Sequence, residues 1–541
     1  MVSRRGTSMN GAVKELVYLR SGIKVEPLSN YWYLWGHLLP PLQEGINLVD
    51  RQLPLLESFV AHAADHVVAA TDPEFLCAPI VHLPESEVSA IQCVLNDTKG
   101  WCASRMRLAK DMATLKRRLR AEAVGQSLDP QYVELPDSLR GLVEIMYDVD
   151  NSPKVRVIEE LLYESEFSSG EGQQISFFAG SERARPFFLN TPRVEAENRM
   201  IFPLRFADQC MALLARSRLA PVDFNSISEA LLSENADRSQ LRRFFSHEPP
   251  TRVQPSYEGG EIRVRYFGQA CVLLQTSEVS VLVDPVVTWD RDDEMGTLTF
   301  DDLPDFIDYV FITHAHVDHF CPEVLLQLRG RIGRILVPRN NEGSIADPSM
   351  RLMLRTLGFS NVSAMETFDR IEIPGGYLMS VPFLGEHADL DIRSKHGLYV
   401  RLREAGVLFL ADSDCADPML YRRMAAVTGR VDVVFIGMEC HGAPLSWLYG
   451  QYLPARPTRQ HDESRRLSGC NADRAWSIVE EFSCRRVFVY AMGQEPWLRH
   501  LSGLSYTPDS VQLVEAKRFL ERCRNAGIQG EQLFGCKEFV I

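Results

Sequence analysis

Six residues constrain this chain more than any others: His314-Ala315-His316-Val317-Asp318-His319 follow directly on the run Tyr309-Val310-Phe311-Ile312-Thr313. An apolar β-branched and aromatic run reads as a buried strand, and layered α/β folds place their sites at the carboxyl ends of such strands. Side chains of an extended chain alternate with period two, so His314 and His316 point the same way and can share one metal ion. Asp318 and His319, in the turn beyond, can address a second ion close by, as two-metal sites require. Three of the thirteen histidines and an aspartate packed into six residues have no ready structural use.

Two further apolar runs end in acid. Tyr377 to Phe383 runs into Leu384-Gly385-Glu386-His387-Ala388-Asp389, and Val407 to Ala411 runs into Asp412-Ser413-Asp414. A carboxylate just past a buried strand needs a partner or a cation, because burying a lone charge is costly. Asp412 therefore reads as a ligand. Between Glu386 and its neighbour His387, residue chemistry alone does not choose.

From Ile262 to Ile541 the pattern resembles the metallo-β-lactamase superfamily. The shared features are H-x-H-x-D-H after a strand, an aspartate at the end of a later strand, and the early turn Val283-Asp284-Pro285. The resemblance implies the fold and a two-metal site; most members are zinc hydrolases, in which a bound hydroxide attacks an ester, thioester or phosphodiester. The whole chain, with its large N-terminal region and Gly385-Glu386-His387, more closely resembles the diiron β-hydroxylases of antibiotic biosynthesis, which hydroxylate an amino acid held on a nonribosomal peptide synthetase. That resemblance implies His314, His316 and Glu386 on one iron, Asp318 and His319 on the other, and Asp412 between them. It further implies O2 as co-substrate, a synthetase carrier domain and an external electron donor as partners, and a homodimer. The alternative is a pair of zinc ions and hydrolysis.

Three carboxylates with three histidines suit the oxygen-rich ligand sets of diiron oxygenases better than the nitrogen-rich sets zinc prefers. One feature departs from the superfamily. Its final histidine follows the last long helix and strand, whereas here the strand Arg486 to Ala491 runs into Met492-Gly493-Gln494-Glu495-Pro496-Trp497. Glu495, His441 and His461 are the candidates for that place. Trp447, Tyr449 and Trp497 lie near the expected mouth.

At 541 residues the chain exceeds one ordinary core. Helical spacing dominates up to about Ser246, over Leu42 to Ala70, Cys93 to Ala123, Ser138 to Tyr147 and Val155 to Glu164, with strands expected at Gln174 to Ala179 and Arg199 to Phe206. The Pro- and Gly-rich segment 247–260 reads as a linker. The expected architecture is α/β: a C-terminal metallo-β-lactamase-type αββα sandwich over 261–541, preceded by a mostly helical α+β N-terminal domain over 1–246, for which the resemblance implies docking or dimerisation.

A net charge of −14 argues against nucleic acid as a partner. No run approaches the apolar length of a membrane span, and the twelve cysteines form no C-x-x-C pair, so the expected setting is the cytoplasm, without membrane contact. One basic helical stretch, Arg105 to Arg120, reads as a solvated face or as a surface that meets an acidic carrier domain. His62 and His66, four apart on a helix without a companion carboxylate, read as ordinary histidines.

Overall fold

A computed structural model describes residues 14–233, 237–292 and 294–541. Two seven-stranded sheets form the C-terminal half. The first runs in the order Val362–Met365, Ile332–Pro338, Ile307–Phe311, Ser280–Val283, Val272–Gln275, Arg263–Tyr266, Lys537–Val540. The second runs Arg370–Ile373, Gly376–Val381, Gly397–Leu402, Ala405–Phe409, Val433–Gly437, Arg486–Tyr490, Gln529–Gln532. Each combines an antiparallel meander with parallel strands joined through helices. The strands read as near-continuous apolar runs because both faces of each sheet are covered.

Between the sheets Val264, Val272, Val281, Phe311, Leu378, Val400, Phe409 and Phe435 interdigitate in one dry core. The outer face of the second sheet packs on helices Pro418–Thr428, Ala472–Phe482 and Val511–Asn525 through Leu408, Ile436, Tyr421, Ile478 and Phe519. The expected αββα sandwich is present.

The N-terminal half is more strand-rich than its periodicity suggests. A four-stranded sheet, Trp32–Tyr33, Lys24–Ser29, Gln173–Phe178, Arg199–Pro203, stands beside a three-stranded one built on Leu16–Leu19. Helices Pro41–Asn47, Leu53–Ala61, Val88–Trp101 and Ala103–Glu122 pack against them. Helix was expected over Ser138 to Tyr147 and from Val155; the structure has instead a hairpin, Val143–Tyr147 against Pro153–Val157. Val143 and Ile145 are buried and Glu144 between them is exposed, a period of two that outweighs the looser helical spacing. Asp148 closes the turn, its carboxylate accepting from the amides of Asp150 and Ser152. Only Glu159–Tyr163 of the expected second helix forms.

The outer face of the first sheet and its helix Pro322–Leu328 share one continuous core with the N-terminal half, from Val17 and Trp35 through Phe320 and Val324 to Leu501. All seven residues of Pro322–Leu328 are buried. Segment 247–260 carries no helix or strand, yet it is fastened down: Arg252 donates to the carbonyls of Asp301 and Leu303, and the Val253 amide to Asp302.

Candidate metal centre

Strand ends of both sheets bring their polar residues to one place. Ile307–Phe311 delivers the histidine motif, Ser280–Val283 delivers Asp284, Gly376–Val381 leads to Glu386, and Ala405–Phe409 leads to Asp412. The backbone at these exits is strained: φ is 67° at Glu386, 42° at Asp284 and 47° at Ala411, the residue before Asp412. Left-handed residues with a side chain cost on the order of 1–3 kcal/mol each and persist where the surroundings fix them, as binding sites do. At Gly385, with φ 74°, an added Cβ would lie 2.6 Å from Asp414 Cβ, so only glycine lets the chain turn Glu386 inward.

All six residues singled out from the sequence converge. His314 Nε2 lies 3.2 Å from His316 Nδ1, and that Nδ1 lies 3.0 Å from Glu386 Oε1. On the other side His319 Nε2 is 3.0 Å from Asp412 Oδ2 and 3.8 Å from Asp318 Oδ2. Asp412 Oδ2 also comes within 3.6 Å of His314 Nε2. Two groups thus present ligand atoms within 4.8 Å of one another, His314 with His316 and Glu386, and His314 with His319 and Asp412. His314 stands in both groups, whereas the sequence suggested it serves only the first.

A ring of hydrogen bonds orients these side chains. Asp284 accepts from the Thr313 amide and hydroxyl, both at 2.7 Å, and faces His319 Nδ1 at 2.8 Å, which turns Nε2 toward Asp412. The far nitrogen of His316, Nε2, meets the Tyr449 phenol at 3.1 Å, leaving Nδ1 to face Glu386. Gln269 donates through Nε2 to Asp318 Oδ2 at 2.8 Å.

Burial would lower the pKa of His319, but Asp412, Asp284 and Asp318 outweigh it and hold the imidazole well above its usual value. Burial together with Asp412 and Asp318 pushes Glu386 well above the usual carboxylate range. Burial and the crowding of His319, His316 and His387 hold His314 well below the usual histidine value. Two enclosed atoms, His319 Nε2 and Asp412 Oδ1, have no hydrogen-bond partner among the described residues. Imidazole nitrogens and crowded carboxylate oxygens turned toward one another, with a buried imidazole held positive among three aspartates, form a donor set that fits a pair of cations.

The residues proposed for the remaining ligand place do not join either group. Glu495 is spent on structure: its Oε1 accepts from the Tyr266 phenol at 2.6 Å and the Gln269 amide at 3.0 Å, holding the loop whose Gln269 grips Asp318. His441 and His461 are exposed, the latter on helix Arg459–Ser464. Glu439, two residues past the strand Val433–Gly437, joins neither group but feels the charges of the cluster. It is half-buried, and burial with Glu386, Asp412 and Asp318 raises its carboxyl well above the usual range. Its signal was an acid beyond a buried strand, the same signal that marks Asp412.

Two other neighbours were not legible. His37, from the N-terminal half, is buried beside Tyr449, with ring centroids 6.0 Å apart, and burial with His316 nearby lowers its pKa to about 3. The Tyr506 phenol is enclosed without a partner among the described residues and feels Glu439, Asp412 and Asp318. Of the aromatic residues noted in the sequence, Tyr449 touches His316, Trp447 packs on Phe187 and Trp497 is buried against Gly268. His66 bonds Ser58 and the Val81 amide, as an ordinary histidine does. Arg105 is no solvated charge, being buried against Glu44 at 2.6 Å.

Two helix-flanked sheets with histidines and carboxylates gathered at their strand ends define a metallo-β-lactamase-type metal protein, and residues 263–442 match the family model for the β-lactamase superfamily domain. Residues 18–249 match the model for the diiron non-heme β-hydroxylase N-terminal domain. The 4-amino-L-phenylalanyl-[CmlP-peptidyl-carrier-protein] 3-hydroxylase of Streptomyces venezuelae is 34% identical over 528 residues, 95% of this chain and 98% of that enzyme. The crystal structure of CmlA, a diiron β-hydroxylase from Streptomyces venezuelae, superposes with a TM-score of 0.89 at 32% identity, covering 98% of this chain and 100% of that one. The chain belongs to the diiron non-heme β-hydroxylase family.

Proposed function

We propose that the protein is an O2-dependent diiron monooxygenase that hydroxylates the β-carbon of an amino acid tethered to the carrier domain of a nonribosomal peptide synthetase. His314, His316 and Glu386 would hold one iron, Asp318 and His319 the other, with Asp412 between them and Glu439 as the further carboxylate. The observation that carries this reading is Glu386 Oε1 at 3.0 Å from His316 Nδ1, an oxygen donor completing a group with two histidines. It raises the oxygen share of the donor set toward that of iron oxygenases. The carrier-bound substrate is proposed because the Streptomyces relative, similar along nearly its whole length, acts on an amino acid held by a peptidyl carrier protein.

When bound, the two irons supply the reductive activation of O2 and the cleavage of an unactivated C–H bond. The side chains hold and shield that chemistry. Asp284 and Tyr449 lock the outer nitrogens of His319 and His316. Gln269 keeps Asp318 from swinging outward. His37, Phe383, His387 and Tyr449 wall the His316 side with rings and exclude bulk water, which protects a reactive site from side reactions. Hydroxylation removes two electrons from the substrate while O2 takes up four, so an external donor supplies two. A homodimer is proposed on the family resemblance.

Iron-loaded protein given O2, a reductant and an aminoacyl carrier domain should return the acyl group heavier by one oxygen atom, with the thioester intact. Release of the free amino acid, or turnover only with zinc and without O2, would overturn the reading.

A further inference from the structure

Beside the metal centre, and separate from it, a groove of about 850 Å³ opens between the N-terminal helices and the segment 446–457, within the size range of small-molecule sites. Its floor is apolar, formed by Leu55, Met112, Leu189 and Trp447. Its sides carry Arg51, Lys116, Arg117, Arg120 and Arg456, opposed by two carboxylates, Asp50 and Asp462. On a chain of net charge −14, five cations around one groove are a local inversion of sign.

The cations are not consumed by the fold. Arg117, Arg120 and Arg456 are exposed, and the ion pairs among the described residues include none of the five. Lys116 donates to the Tyr452 carbonyl at 3.1 Å. Arg51 is the informative one. Its Nη2 donates to the Trp447 carbonyl and to Gln451 Oε1, while its Nη1, enclosed, has no partner among the described residues. Burial lowers its pKa to about 10, so it remains a charged donor at neutral pH. A half-buried guanidinium without a carboxylate partner, with three exposed arginines around it, favours an anion at this rim, for which phosphate oxygens are the strongest match.

The groove adjoins the catalytic side of the molecule. Helix Ser446–Tyr449 presents Trp447 to the groove and Tyr449 to His316. At the same end Cys77 and Trp447 abut Gly503, three residues before Tyr506, which faces Glu439 and Asp318. A ligand lying in the groove therefore has its inner end next to the walls of the metal centre.

We infer that this groove receives the phosphopantetheine arm of the carrier domain, its phosphodiester on the cationic rim and its amide-bearing chain along the Trp447 floor. The inference rests on the proposed carrier-tethered substrate, and it assigns the tether a site on this chain. Charge complementarity and the mixed lining select this occupant: an extended acid tail would leave the apolar floor unused, and an apolar chain would leave Arg117, Arg120 and Arg456 without a counter-charge.

The test measures binding of free phosphopantetheine and of pantetheine, which lacks the phosphate, to the full-length protein by calorimetry, with no turnover required. The parent should bind phosphopantetheine about tenfold or more tighter, a factor set by charge-assisted phosphate contacts. The exposed triple variant R117E/R120E/R456E, with an unchanged melting temperature, should lose that preference. Equal affinity for the two compounds in the parent, or a preference that survives the triple substitution, would overturn the inference. Turnover separates it from the reading it rests on. If the parent hydroxylates a tethered amino acid and the triple variant does so with the same KM for the carrier, the groove inference fails alone. If the parent turns over no tethered amino acid but keeps the phosphate preference, the proposed reaction fails and the groove stands.

Discussion

At the scale of single residues, the donor set depends on groups that touch no metal. Asp284 combines full burial, a left-handed backbone and three contacts, to the Thr313 amide, the Thr313 hydroxyl and His319 Nδ1. Asp284→Ala frees the His319 ring and should lower iron affinity about 10–100-fold, the usual effect of removing a carboxylate behind a ligating histidine; iron bound per chain against a graded chelator reads it. Retention of parental affinity would show that the ring is held by packing alone. A second residue gives the pH dependence. Arg199, Arg193 and Arg185 surround Glu26 and, against its burial, hold its carboxyl well below the usual range. A depressed folded pKa stabilises above the unfolded value near 4.3 and loses that contribution as pH falls through the folded one. The melting temperature should therefore drop on acidification below about pH 4. Glu26→Gln should flatten that drop while costing roughly 3–5 kcal/mol at neutral pH, because Arg193 and Arg199 are left without a carboxylate while Arg185 keeps Glu323.

The six ligand candidates were legible because each is a polar residue at the end of an apolar run, and strand ends point into the site. The last position stays open for a physical reason. The expected histidine after the final strand is absent, Glu495 there braces the Gln269 loop, and Glu439, which feels Glu386, Asp412 and Asp318, leaves the strand before it. His37 and Tyr506 carried no local signal; their place depends on how distant segments pack.

Among the elements, near-continuous apolar runs such as Val272–Gln275 and Ser280–Val283 are legible as strands, and alternating, half-exposed ones are not. The hairpin Val143–Tyr147 with Pro153–Val157 was taken for helix because its apolar residues also satisfy three- and four-residue spacing. Lys537–Val540, alternating and half-exposed, gave too weak a pattern to mark the edge that pairs with Arg263–Tyr266. Helix crossings are set by residues that sequence alone leaves ambiguous. Gly45 is buried in Pro41–Asn47, and an added Cβ there would run into the Arg105 carbonyl of Ala103–Glu122. Gly45→Ala should push these helices apart and cost about 1–3 kcal/mol, as overpacking does. Denaturant unfolding checks this, and an unchanged midpoint would mean the helices separate freely.

For the whole molecule, segment 247–260 suggested two bodies joined by a linker, yet one apolar core crosses that boundary. Tyr33 donates to Glu323 at 2.7 Å and Gln43 to the Ile345 carbonyl at 2.9 Å, while Pro322–Leu328 is buried throughout. A chain of residues 261–541 alone would expose that helix and should be recovered aggregated or without cooperative unfolding. A soluble, cooperatively melting fragment that binds iron would contradict this. The N-terminal half also supplies His37 to the wall around His316 and one side of the cationic groove, so it belongs to the catalytic assembly. A hydrolase-type frame that carries an oxygenase is told from a hydrolase by the origin of the oxygen atom it inserts. In a single turnover with an aminoacyl carrier domain under isotopically heavy O2 in ordinary water, mass spectrometry should find one heavy oxygen on the still-tethered amino acid. Oxygen drawn from water, on an amino acid released from its thioester, would contradict the account.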